Sequence, residues 1–154
     1  MRAAGNERFA AGDMDGAAEC YREAEEALRF VPPNASVGSE RSALLLAVWL
    51  NLSLVMLRLR RWREVVEYTG QVLAREPGSV KALFRRASAL LEGLQEFDEA
   101  ERDVSAGLTL EPANGDLRRL KRSIAQARAS ERRRESARYS RMFGGPEPPV
   151  VEPP

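Results

Sequence analysis

The sequence predicts an all-α solenoid, in which helix pairs stack side by side and one long C-terminal helix closes the stack. Two observations predict it. A helix–turn–helix unit recurs at fixed spacing: Phe97 follows Trp62 by 35 residues, and Pro112 follows Pro77 by 35. Residues 113–142 then read as a single amphipathic helix, with Leu117, Leu120 and Ile124 on one side.

In chain order, a helix over 1–11 carries the small residue Gly5 and the aromatic Phe9. A second, over 14–30, begins Met14-Asp15-Gly16-Ala17-Ala18 and runs through Tyr21 and Ala24 to Leu28. Val31-Pro32-Pro33-Asn34-Ala35-Ser36-Val37-Gly38 is a loop by composition. Val65 follows Ala17 by 48 residues, about 14 more than a 34-residue period, so this loop sits in an insertion between the first two units. Helices over 40–59 and 62–75 make the second unit, with Ser53 in the place of Gly5 and Trp62 opening its second helix. Pro77 ends it, because proline cannot continue a helix and turns the residue before it away from helical backbone. Helices over 79–93 and 97–110 make the third, with Ala87 as the small residue and Pro112 as the stop. The period is one residue too long here, and the extra residue belongs between Ala87 and Phe97, near Glu92-Gly93-Leu94. Small side chains at 5, 53 and 87 let paired helices approach, while Phe9, Trp62 and Phe97 fill the space between pairs. The last helix, over 114–142, caps the stack with Leu117, Leu120, Ile124, Ala127 and Ala129. Gly144-Gly145-Pro146 stops it, and the proline-rich residues 144–154 read as a disordered tail, in the first place a linker and in the second a segment for an SH3- or WW-type domain. The organisation is therefore repeats over 1–111 (about 1–30, 40–76 and 79–111), a cap over 112–143 and the tail. The first helix begins late, as in a fragment of a longer protein.

Composition narrows the function. Hydrophobic residues make up 44% and charged residues 31%, enough for a core and too charged for a membrane protein. The longest apolar stretch, Ala43 to Leu57, is broken by Asn51 and Ser53, and the N-terminus has no signal-peptide pattern. A cytoplasmic location is expected. One cysteine, Cys20, and no histidine rule out an internal disulfide and remove nearly all zinc, copper, haem and Cys–His chemistry. With no glycine-rich phosphate loop either, neither an enzyme nor a cofactor is expected.

The chemistry left is recognition. The first helices of the units line the inner face of a solenoid. Arg2 and Asn6 are four residues apart and share a helix face, as do Lys81 and Arg85, while Asn51 stands in an otherwise apolar helix and needs a partner. Singly these are ordinary surface charges. Together, cations at each end with amides between suit an acidic, extended peptide terminus, whose carboxylates accept charge-assisted hydrogen bonds. Between 113 and 142 ten Arg and Lys face three carboxylates, a basic helix that suits calmodulin or an anionic partner unless it is simply a solvated extension. Aromatic residues do not interleave with these arginines before Tyr139, so nucleic acid is not expected.

The repeat resembles the tetratricopeptide (TPR) family over residues 1 to about 111. Arg2-Ala-Ala-Gly5-Asn6 resembles the Lys-x-x-Gly-Asn of TPR co-chaperones with arginine for lysine, Asn51 matches the asparagine of the next repeat, and Lys81-Ala-Leu-Phe-Arg85 matches Lys-x-x-x-Arg. The resemblance implies a dicarboxylate clamp of Arg2, Asn6, Asn51, Lys81 and Arg85. It would hold the C-terminal Glu-Glu-Val-Asp of cytosolic heat-shock chaperones, the ninety-kilodalton class before the seventy-kilodalton class. Tyr139-Ser140-Arg141-Met142-Phe143 and Leu83-Phe84-Arg85-Arg86 are similar to the TPR domains of large immunophilins, here without their isomerase domain. The alternative is a TPR scaffold that binds another peptide or client, with the basic C-terminal helix as a second surface.

Overall fold

The computed structural model describes residues 1–30 and 38–144. Helix α1 spans Arg2–Ala10, α2 Met14–Arg29, α3 Gly38–Arg58, α4 Trp62–Leu73, α5 Val80–Ala89, α6 Phe97–Leu110 and α7 Gly115–Phe143, and no strand occurs among the described residues. The helices lie within a few residues of those the periodicity predicts. Of the expected interrepeat loop only Gly38 is described, and it already belongs to α3, two residues ahead of the expected start. The proline-rich tail after Gly144 lies outside the described residues.

The turn inside each pair uses one device three times. Gly12 (φ 82°), Arg60 (φ 57°) and Gln95 (φ 56°) each take left-handed backbone two residues before the next helix begins. That conformation stops the first helix and reverses the chain, and glycine adopts it without strain. In the first pair Asp13 also caps α2, its side chain accepting the Gly16 N–H at 2.9 Å.

The surplus residue of the third repeat does not make a longer loop. It is absorbed as a π-turn over Leu90–Leu94 that continues α5. Gly93 explains why the chain is pinned there: a Cβ on it would lie 2.0 Å from Cγ of Trp62, so the indole of α4 packs directly on the π-turn backbone. Gly5 plays the same part in α1, where a Cβ would lie 2.6 Å from Cε1 of Tyr21.

Two clusters of apolar side chains hold the stack. The first joins Ala17, Tyr21 and Ala24 of α2 to Val48, Leu52, Val55 and Met56 of α3 and Val65 and Val72 of α4. The second joins Ala87 and Leu90 to Ala100 and Val104 of α6 and to Leu117, Leu120 and Ile124 of α7. Helix α3 is long and apolar enough by composition to cross a membrane, but its apolar residues form much of the first cluster. Polar bonds register the layers. Arg22 of α2 pairs with Glu64 of α4 at 2.7 Å. Arg86 of α5 grips Asp103 of α6 through two hydrogen bonds of 2.7 and 2.6 Å. Arg128 of α7 bridges Asp98 and Glu101 of α6.

Candidate functional site

The first helices α1, α3 and α5 stand side by side, with α3 in the middle. Asn51 on α3 reaches α1, its amide N–H donating to Oδ1 of Asn6 at 3.2 Å. On the other flank Arg85 of α5 donates to the Leu50 carbonyl of α3 at 2.6 Å and to the Ser53 hydroxyl at 3.2 Å. The half-buried Asn51 thus finds its partner across a repeat boundary rather than in a neighbouring turn of its own. Asn6 is exposed, and its Oδ1 also accepts the hydroxyl of the buried Tyr21 at 2.6 Å.

The structure therefore brings Asn6, Asn51 and Arg85 onto one helix triplet. Arg2 and Lys81 lie in the first turns of α1 and α5, exposed, and no hydrogen bond or ion pair to another described residue engages either side chain. Arg2 stands close enough for its positive charge to act on the Tyr21 phenol.

The electrostatics of the site differ between two neighbouring arginines. Burial lowers the pKa of the Arg85 guanidinium from its ordinary value, and it donates to a backbone carbonyl and a hydroxyl rather than to a carboxylate. Arg86, one residue on, shows the contrast: its pKa is raised, chiefly by its hydrogen bonds to Asp103. Burial raises the Tyr21 pKa, against opposing pulls from the Arg2 charge and the nearby Asn51 amide, so at neutral pH the phenol is a proton donor. Among the described residues no group of carboxylates or thiols is placed to hold a metal ion.

Three partners of this site escape a reading of the sequence. Tyr21 counts there only as a repeat residue, although a buried phenol needs a hydrogen-bond acceptor and that need is a signal. Ser53 counts only as a small residue. The Leu50 carbonyl carries no sequence signal at all.

Elsewhere, a hollow of about 510 Å³ between α6 and α7 is lined by charges such as Asp98 and Arg128, which already pair with each other. The last turns of α7 run beyond the second cluster. They carry exposed arginines and a Tyr139–Phe143 ring contact of 4.7 Å, and Met142 and Phe143 are 70% and 65% exposed.

No family model matches the chain. Among curated proteins it is similar to the FK506-binding protein-like protein of Homo sapiens, 36% identical over 113 residues, which is 73% of this chain and 30% of that one. The chain thus spans less than a third of that relative. Among solved structures it superposes on the first TPR of Spaghetti (RPAP3) bound to the HSP90 peptide SRMEEVD, with a TM-score of 0.69 and 26% identity, covering 83% of this chain and 90% of that one. It also superposes on the C-terminal TPR-containing domain of a putative FK506-binding protein of Plasmodium falciparum, with a TM-score of 0.79, 19% identity, and coverage of 86% and 88%. That second likeness, at so low an identity, is one of fold alone.

Proposed function

We propose that this chain, a tetratricopeptide-repeat domain similar to those of immunophilin-like proteins, is a co-chaperone adaptor whose groove takes the acidic C-terminus of a heat-shock chaperone in the cytoplasm. One observation carries the reading: α1, α3 and α5 converge cationic and amide donors that no carboxylate of the described residues answers. A free chain end that is itself acidic supplies those carboxylates, two or more on one short peptide. Arg2 and Asn6 would serve one, Lys81 and Arg85 another, and Asn51 the peptide backbone or the terminal carboxylate. The SRMEEVD peptide on the RPAP3 domain has this chemistry and supports the choice of partner. The groove would bind and localise.

The test is calorimetric titration of Met-Glu-Glu-Val-Asp as the free acid and with an amidated C-terminus. Each charge-assisted hydrogen bond contributes about 1.5–3 kcal/mol, so amidation, Lys81→Ala or Arg85→Ala is expected to weaken binding by about 10–100-fold. Equal binding of the acid and the amide would instead favour the second reading, a scaffold that takes another ligand. The exposed basic and aromatic end of α7 favours that alternative as a separate surface, with calmodulin as the partner to try.

A further inference from the structure

Resting on that reading of the groove, we infer that Tyr21, which lies behind the groove on α2, is a positioning residue: its hydroxyl fixes the Asn6 side chain so that both amide N–H groups face the incoming carboxylate.

The argument begins with the donors and acceptors of one asparagine. A side-chain amide offers an oxygen with two lone pairs and a nitrogen with two N–H groups, and unaided it turns either end outward. In Asn6 both lone pairs are used. Tyr21 donates its O–H at 2.6 Å and Asn51 donates an N–H at 3.2 Å, both to Oδ1. Flipping the amide would set its N–H groups against the Asn51 N–H and leave the phenol without its acceptor. The oxygen is therefore held inward, and the two N–H groups have no partner among the described residues. They are left on an exposed residue, on the helix that also carries Arg2.

Tyr21 is itself held. It is 2% exposed and packs in the first cluster, and its ring lies on the bare backbone of Gly5, one residue from Asn6. The hydroxyl's direction is thus set by the core, and it passes that rigidity to a surface side chain. A donor that needs no ordering on binding spares the entropy of fixing it. The packing and the positioning are separable, because the ring does one and the oxygen the other.

Tyr21→Phe removes only the oxygen. The free-acid peptide is expected to bind about 3–10-fold more weakly to this variant, while its thermal midpoint stays close to that of the parent and the amidated peptide is affected less. The decisive measurement is the double-mutant cycle with Asn6→Ala: when Asn6 is gone, Tyr21→Phe should cost no further affinity. An equal loss in both backgrounds overturns the inference, because Tyr21 would then act through packing, and so does unchanged binding by Tyr21→Phe. A second readout needs no peptide. In the free protein the Asn6 side-chain amide resonances should report restricted fast motion, and Tyr21→Phe should release it. If the parent bound neither peptide, the proposed function would fall, and the amide mobility alone would decide: release supports the positioning role, and no change overturns it.

Discussion

Gly5 and Tyr21 meet one requirement from two sides. The ring occupies the volume a Cβ at residue 5 would fill, and a phenol ring in a packed core has no room to swing aside. Gly5→Ala is therefore expected to cost about 1–3 kcal/mol in chemical denaturation, and to weaken peptide binding as well, because it pushes the hydroxyl off Asn6. Arg86 makes the second case. Its guanidinium neutralises Asp103, whose side chain is only 8% exposed. Arg86→Met leaves that carboxylate buried and unanswered, an expected loss of about 3 kcal/mol, at the low end for a broken buried pair because Arg86 itself keeps some contact with solvent. At this scale the sequence was legible in part. Asn51 advertised its need for a partner by standing in an apolar helix, but the partner's identity depends on which helix lies alongside. Arg86 with Asp103, 17 residues apart, and Asn6 with Asn51, 45 apart, meet only once the stack has formed.

At the scale of elements, the third repeat shows how a helix hides an extra residue. The spacing located the surplus near Gly93, because the count from Trp62 to Phe97 needs only the two flanking aromatics. It did not tell a longer turn from a π-turn, a choice made by the Trp62 ring seated on Gly93. The turn residues behave alike. Gly12 looks like a turn residue, whereas Arg60 and Gln95 do not, and both carry the strain of left-handed backbone. Arg60→Gly and Gln95→Gly are each expected to raise stability by about 0.5–1 kcal/mol, read as a shift of the urea midpoint at constant slope. Helix α7 divides into two functions. Leu117 is fully buried against the place where Gly107 leaves space for it. Leu117→Ala should cost about 2–5 kcal/mol, while truncation after Ser130 should leave the thermal midpoint nearly where it was.

For the molecule as a whole, the lack of histidine sets the response to pH. Two shifted groups bound the range. The Asp13 carboxyl is held below its usual pKa, first by the Gly16 N–H and then by Arg8. Its stabilisation is present above the ordinary carboxyl value of about 3.9 and is lost as pH falls through the lowered one. Tyr21 is shifted the other way by burial, so its contribution is whole below the ordinary phenol value of about 10 and is lost as pH climbs through the raised one. The thermal midpoint should be flat between about pH 6 and 9 and fall on both sides. Helix α3 stands behind a last point. It holds α1 through Asn51 and is held by α5 through Leu50 and Ser53, so every polar link among these three helices joins one repeat to the next. Repeat proteins invite shuffling as interchangeable bricks. Here a reordered array would keep its hydrophobic interior and still lose the bonds by which Asn6, Asn51 and Arg85 are set against the neighbouring repeat. Moving this arrangement of side chains onto another scaffold means moving consecutive repeats as one block.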